Sequence, residues 1–233
     1  WYSDSTGATA LATGANFTTP SLGITTTYYV ASTTGAAPGS VYTFTNAGST
    51  GPNGPTQAQV NSAYAATNLA NNVTINTQGI QEWVVPQAGT YQIQVNGAQG
   101  GGNGGLGARM QGEFNLIAGQ KLFIAVGQQG NGPVGVGACG GGGGSFVTTG
   151  NATYTTSTPL IIAGGGGGQS PEAGYPGLIT TNGGQGEGCQ PGGTGGNGGA
   201  DASGCGSGAG GAGGFLTDGA SAGSWGYQRG FGF

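Results

Sequence analysis

Histidine is absent from this chain, and charged residues of either sign are scarce. Charged side chains make up 4% of the 233 residues: three Lys or Arg and seven Asp or Glu, for a formal net charge of −4. Without His, the commonest acid–base catalyst and metal ligand is missing. Three cations cannot neutralise a phosphate backbone, which excludes nucleic acid as a partner. No apolar run approaches the roughly 20 residues of a membrane-spanning helix.

Motifs that could carry catalysis or bind metal are equally weak. Residues 219–223 match the G-x-S-x-G nucleophile pattern, but glycine-rich sequence matches it by composition, and no His exists to activate Ser221. The carboxylates of Glu187, Asp201 and Asp218 could ligate Ca²⁺, although their spacing fits no calcium-loop signature. We therefore predict a protein that is not an enzyme and that carries no cofactor and no metal.

Glycine is abundant instead, with 59 residues that concentrate after residue 96. Before that point the chain has the composition of an ordinary β-protein. Tyr91, Ile93 and Val95 alternate with polar residues, which is the period-two pattern of a half-buried strand. We predict an antiparallel sandwich with a hairpin turn at residues 86–89 and a short helix within 57–69. The predicted strands cover residues 41–45, 73–75, 80–85, 91–95, 114–116 and 122–126.

Glycine tracts interrupt this β pattern at residues 97–107, 140–144, 164–168 and 183–214. Residues 192–215 also keep a triplet register, mostly with two Gly per triplet. Flexible linker and collagen are two possible interpretations, but the tracts adjoin strong strands and collagen needs many prolines. Three residues per turn is also the period of the polyproline II helix, which has no internal hydrogen bonds. We favour a bundle of polyglycine II helices inserted into the sandwich.

Three cysteines are too few for a disulfide scaffold and are wrongly spaced for zinc. Cys189 and Cys205 flank the glycine triplets, and they can pair if the chain reverses near residues 201–203. Such a bridge indicates an oxidising, extracellular setting. Cys139 would then be a small buried residue, or would bond to another copy or to further chain.

Four positions are candidates for glycosylation. Asn16, Asn72 and Asn151 each begin an N-x-[ST] sequon. Ser5 follows Asp4 in a sequence that resembles the O-glycosylation signal of Bacteroidota-type secreted proteins. A surface with so little charge needs another source of solubility, which glycans or a multimeric assembly could supply.

Residues 1–33 resemble the later half of the Ig-like repeats of secreted Bacteroidota-type surface proteins. The likeness lies in Trp1-Tyr2, Ala12-Thr13-Gly14, Phe17 to Pro20 and Thr25 to Val30. This resemblance implies a partial Ig-like β segment (1–33), a linker (34–40) and a second domain (41–233). Half a sandwich leaves an apolar face and a strand edge open. We expect Trp1, Phe17, Tyr28 and Tyr29 to be covered by a neighbouring copy or by upstream chain.

Residues 40–233 resemble the glycine-rich, membrane-proximal ectodomain of the anaplastic lymphoma kinase and leukocyte tyrosine kinase receptors. The matching motifs include Gly51-Pro52-Asn53-Gly54-Pro55-Thr56-Gln57-Ala58-Gln59, Ile80 to Pro86 and Leu122 to Gly130. This resemblance implies a tumour-necrosis-factor-like jelly roll with inserted polyglycine helices. Asn46 and Val60 stand where the family carries cysteines, and the acidic residues of the family's ligand-binding surface are scarce here.

Two functions fit these observations. The first is an extracellular structural or adhesive module, a repeating unit of a self-assembling cell-surface fibre or adhesin whose partners are further copies of itself. The second is a recognition module that binds a protein or glycan ligand. Long-range order between copies favours the first, and an exposed set of variable loops favours the second.

Overall fold

The computed structural model describes residues 39–132, 139–153, 156–169, 173–183, 192–200 and 213–220. The chain divides into two compact units, residues 1–40 and 41–233. Apart from residues 39 and 40, the described residues belong to the second unit. The predictions for the Ig-like segment therefore lie outside the described residues, and they include those for Trp1, Phe17, Tyr28, Tyr29, Ser5 and Asn16.

In its described residues the second unit is all-β apart from one helix, which confirms the predicted fold class. Its elements are α1 (Gln57–Tyr64), β1 (Val73–Thr74), β2 (Ile80–Val84), β3 (Gly89–Asn96), β4 (Arg109–Leu116), β5 (Lys121–Ala125), β6 (Ser145–Thr149) and β7 (Thr158–Ala163). Five strands form one sheet in the order β1-β2-β5-β6-β7, and β3 and β4 form a second. Every strand pair is antiparallel.

The predicted alternation of β3 is present and decides which face is buried. Val95 is buried and Tyr91 and Ile93 are partly buried, whereas Gln92 and Gln94 are exposed. The apolar face packs into a core that both sheets share, together with Trp83, Leu122 and Ile161. Burial of these side chains is the main favourable term for the sandwich, at about 25 cal/mol per Å² of apolar surface.

Helix α1 lies where a short helix was predicted, and its start is fixed by a capping box. The Thr56 hydroxyl accepts a hydrogen bond from the backbone N–H of Gln59, and the Gln59 side chain accepts one from the backbone N–H of Thr56. This satisfies two amides that a helix N-terminus leaves without partners. Val60 and Tyr64, four residues apart on one face, are buried against the core.

Two sequence predictions about the sandwich are wrong. Residues 86–89 do not form the turn of a hairpin, because β2 pairs with β1 and β5 while β3 pairs with β4. The turn instead carries the chain from one sheet to the other. Residues 41–45 are not a strand. The alternation that suggested one is real, since the rings of Tyr42 and Phe44 pack on Trp83 at centroid distances of 4.7 and 5.8 Å.

A buried polar cluster holds residues 41–45 in place of strand pairing. Gln81, with 0% exposure, donates from Nε2 to the carbonyl oxygen of Thr45 at 2.8 Å and accepts from the Tyr64 hydroxyl at 2.6 Å. The backbone N–H of Thr45 donates to that same hydroxyl at 2.9 Å. The first segment of the unit is therefore attached by side chains of β2 and α1.

Candidate functional site: the glycine bundle

Six glycine-rich segments pack side by side next to the sandwich. They are segment I (residues 97–102), segment II (104–108), segment III (127–132), segment IV (139–144), segment V (164–169) and segment VI (173–177). Segments I and V continue directly from β3 and β7, and segments II and IV lead directly into β4 and β6. Segment III follows β5 after Val126, so the sheets set the positions of all five. Backbone hydrogen bonds of 2.7 to 3.0 Å connect the six segments.

Segment I is the centre of this bundle, and its hydrogen bonds repeat every three residues. Gly97 and Gly100 donate to segment II, Ala98 and Gly101 donate to segment IV, and Gly102 donates to segment III. The carbonyl groups of Ala98 and Gly101 accept from segment V. Successive amides thus face three different neighbours, so a single extended segment can bond on several sides.

Close approach of the backbones explains why these positions are glycine. A Cβ atom built on Gly97 or Gly100 would collide with the carbonyl oxygen of Gly164 or Gly167. Gly142, Gly165 and Gly166 meet neighbouring backbone in the same way. Gly164 differs, because a Cβ there has no atom within 4 Å. The sequence pattern is therefore a steric requirement at most, but not all, positions of the tracts.

The triplet prediction for residues 183–214 needs a correction in the part that is described. Gly195 and Gly196 have φ values of 60° and 90°, so a turn interrupts residues 192–200. Gly183 donates to Gly193, and Leu216 donates to Gly196, which makes this region a small cluster of turns. The ring of Phe215 joins the cluster to β6, since its centroid lies 5.8 Å from that of Phe146. Cys189 and Cys205 lie outside the described residues.

A cleft of about 120 Å³ lies on one side of the bundle. It is lined by the loop 51–54, residues 78–80, residues 125–131 and part of segment IV. Its walls combine glycine backbone with side chains that include Asn53, Gln128 and Phe146. The buried side-chain oxygen of Gln128, Oε1, has no hydrogen-bond partner in the described part of the chain. The cleft therefore offers both polar and apolar groups, among them that amide oxygen of Gln128.

An apolar patch lies on segments II and VI, on the other side of segment I from segments III and IV. Leu106 is 67% exposed and Tyr175 57% exposed, and Ile179, just beyond segment VI, is 73% exposed. Gly177 donates to the carbonyl of Leu106 at 2.8 Å, so the two segments are adjacent. Exposed apolar groups gathered in one place are typical of an interaction surface.

Two oppositely charged side chains of the described residues, Lys121 and Glu82, form an ion pair. Lys121 Nζ lies 2.8 Å from the Oε2 atom of Glu82, and Asn76 donates to the other carboxylate oxygen at 3.0 Å. Glu82 is 6% exposed, so these two contacts compensate a buried charge. Burial raises the pKa of the Cys139 thiol, which makes it a poor nucleophile.

The remaining site residues predicted from the sequence lie in different parts of the chain, and only some of them are among the described residues. Asn72 and Asn151 are both exposed, as glycan acceptors must be, and the two lie in different loops. Asn151 Oδ1 accepts hydrogen bonds from the backbone N–H and hydroxyl of Thr153 in its own sequon. Cys139 is buried, as one interpretation of the sequence predicted. Asp218 is described, but Glu187, Asp201 and Ser221 are not. No group of three or more metal-ligating side chains occurs within the described ranges.

Sequence reasoning missed the apolar patch and the cleft. Leu106, Leu178 and Ile179 are isolated apolar residues in glycine-rich surroundings, and this isolation was the available signal. A strand or helix pattern buries its apolar residues, whereas an apolar side chain in a glycine tract has no such face to join. The contribution of residues 127–132 to the bundle was also missed, because this stretch contains two Gln and an Asn.

The fold and the site together define a class of protein, an antiparallel β module with an attached glycine bundle. Within its described residues, no helix is long and apolar enough to cross a membrane. Residues 1–45 match the family model described as "Ig-like domain CHU_C associated". The leukocyte tyrosine kinase receptor of Mus musculus is 34% identical over 99 residues, which is 38% of this chain and 11% of the receptor. This chain thus spans about a tenth of the receptor. The match falls in the receptor's extracellular region only, and the Ig-like relatives are extracellular too.

Proposed function

We propose that this chain is a non-catalytic extracellular module that assembles with copies of itself into a cell-surface fibre or adhesin. The observation that carries this proposal is the apolar patch of Leu106, Tyr175 and Ile179 on the edge of the glycine bundle. Leu178, which is 45% exposed, adjoins the patch. Contact with another copy would cover these exposed apolar side chains. With 4% charged residues, little electrostatic repulsion opposes contact between copies.

The bundle supplies what a structural module needs, which is rigidity without a large apolar core. In this proposal segments I to V are polyglycine II helices, and the three-residue hydrogen-bond repeat of segment I supports that assignment. A bridge between Cys189 and Cys205, and glycans on Asn72 and Asn151, would stabilise and solubilise the module outside the cell.

Substitution of Ile179 tests the proposal. We expect the wild-type protein to sediment as concentration-dependent oligomers in analytical ultracentrifugation, and Ile179→Ser to weaken association at least about tenfold. Ile117→Ser is the matched control, because Ile117 is 67% exposed but follows β4, outside the patch. A wild-type protein that stays monomeric at every concentration, without filaments in electron micrographs, would rule out self-assembly.

The alternative function is recognition of a protein or glycan ligand. The similarity to the extracellular region of a receptor supports this alternative. Only self-assembly requires copies of the chain to associate, so the ultracentrifugation result separates the two functions. A strictly monomeric protein favours recognition.

A further inference from the structure

Within the described residues, one of the three directions in which the amides of segment IV point has no hydrogen-bond partner. The amides of Cys139 and Gly142 donate to segment V, and those of Gly140 and Gly143 donate to segment III. By the same three-residue repeat, the amides of Gly141 and Gly144 face a third direction. No hydrogen-bond partner for either amide occurs among the described residues.

These amides are buried, which makes the missing partner significant. Gly141 and Gly144 are both buried, and a buried N–H without a partner is rare because it forfeits its bond to water. Segment V has a similar third set, Gly165 and Gly168, but those two glycines are partly exposed. Among the described residues, segment IV therefore has two buried amides, three residues apart, that lack a partner.

The cleft occupies this position. Gly141 and Gly144 line it together with Gln128, whose buried Oε1 atom is an acceptor without a partner. A ligand that fills the cleft must offer carbonyl oxygens to the amides and an N–H to Gln128. A peptide backbone carries both groups. The loop 51–54 and Gly79 form another wall of the cleft. They pack so closely on each other that a Cβ on Gly54 would lie 2.7 Å from the Cα atom of Gly79.

We propose that the cleft binds an extended, glycine-rich strand from a second copy of this chain, which completes the bundle around segment IV. The inference rests on the proposed self-assembly and adds a second contact to the one made by the apolar patch. Glycine-rich extended segments are what this chain itself contains in several tracts, and the backbone spacing within the bundle admits few other residues. Because the donor strand and the cleft are different surfaces, the contact is head-to-tail and extends into a filament.

Substitution at the cleft rim provides the test. Asn53 is exposed in the loop 51–54, so Asn53→Trp places a large ring at the cleft without altering the bundle. Gln92→Trp, at an exposed position of β3, is the matched control. We expect Asn53→Trp to weaken self-association at least about tenfold in ultracentrifugation and the control to associate as the wild type does. The amide exchange of Gly141 and Gly144, followed by NMR, should slow as wild-type concentration rises.

The possible outcomes separate this inference from the proposed function. If the wild type associates but Asn53→Trp associates equally well and the two amides do not respond, the cleft inference fails and self-assembly stands. If the wild type remains monomeric, self-assembly fails, and a Lys-capped hexaglycine peptide then decides about the cleft. Slower exchange at Gly141 and Gly144 with this peptide, but not with Lys-capped hexaalanine, supports a glycine-strand site. No response to either peptide overturns it.

Discussion

Glycine at a given position of a tract is either a steric necessity or an incidental residue, and the geometry tells which. Gly164 and Gly166 are two residues apart in segment V, yet a Cβ has open space at Gly164 and meets the carbonyl oxygen of Gly105 at Gly166. The two positions thus provide a matched pair within one segment. Composition alone does not distinguish them, because the difference lies in the neighbouring backbone.

Replacement of each of these glycines by alanine should give opposite results. We expect Gly166→Ala to lower the free energy of unfolding by about 1–3 kcal/mol, the usual cost of overpacking. Gly164→Ala should be neutral or stabilising by up to about 1 kcal/mol, because alanine restricts the unfolded chain. Urea unfolding measures both values. Equal stability of the two variants would show that segment V is not packed as described.

At the level of elements, the attachment of residues 41–45 depends on Gln81 rather than on a strand ladder. We expect Gln81→Met to cost about 1–3 kcal/mol, because it leaves the Thr45 carbonyl and the Tyr64 hydroxyl short of a buried partner. Gln92→Met, on the exposed face of β3, should change stability by less than about 0.5 kcal/mol. Thermal or urea denaturation of both variants measures the difference. A loss equal to that of the control would remove the role assigned to Gln81.

The elements also show which features a sequence can predict. Alternation identified β3, and the Thr56–Gln59 capping box marks the start of α1, because these signals are local. The partner of β2 was predicted wrongly, since the turn at 86–89 is compatible both with a hairpin and with a crossing between sheets. Residues 41–45 alternate like a strand because Tyr42 and Phe44 face the core while their neighbours do not. A strand on the core gives the same sequence pattern, so alternation does not distinguish the two.

At the scale of the whole molecule, the sequence predicted the all-β class, and the steric data explain the glycine tracts. The cleft and the apolar patch were not predictable, because both depend on which segments become neighbours. Segments I and IV are separated by some 40 residues, and nothing local in either one specifies the other. The resemblance to receptor ectodomains predicted inserted glycine helices, but it did not predict that amides of segment IV would lack a partner among the described residues.

The central claim is that the glycine tracts form a rigid, hydrogen-bonded bundle and not a set of flexible linkers. Amide hydrogen exchange of segment I, resolved by NMR, tests it most directly, since Gly97, Ala98, Gly100, Gly101 and Gly102 all donate to neighbouring segments. The bundle predicts that these amides exchange at least about a hundredfold more slowly than in an unstructured chain, as core amides do. Exchange at the rate of an unstructured chain across residues 97–102 would contradict it.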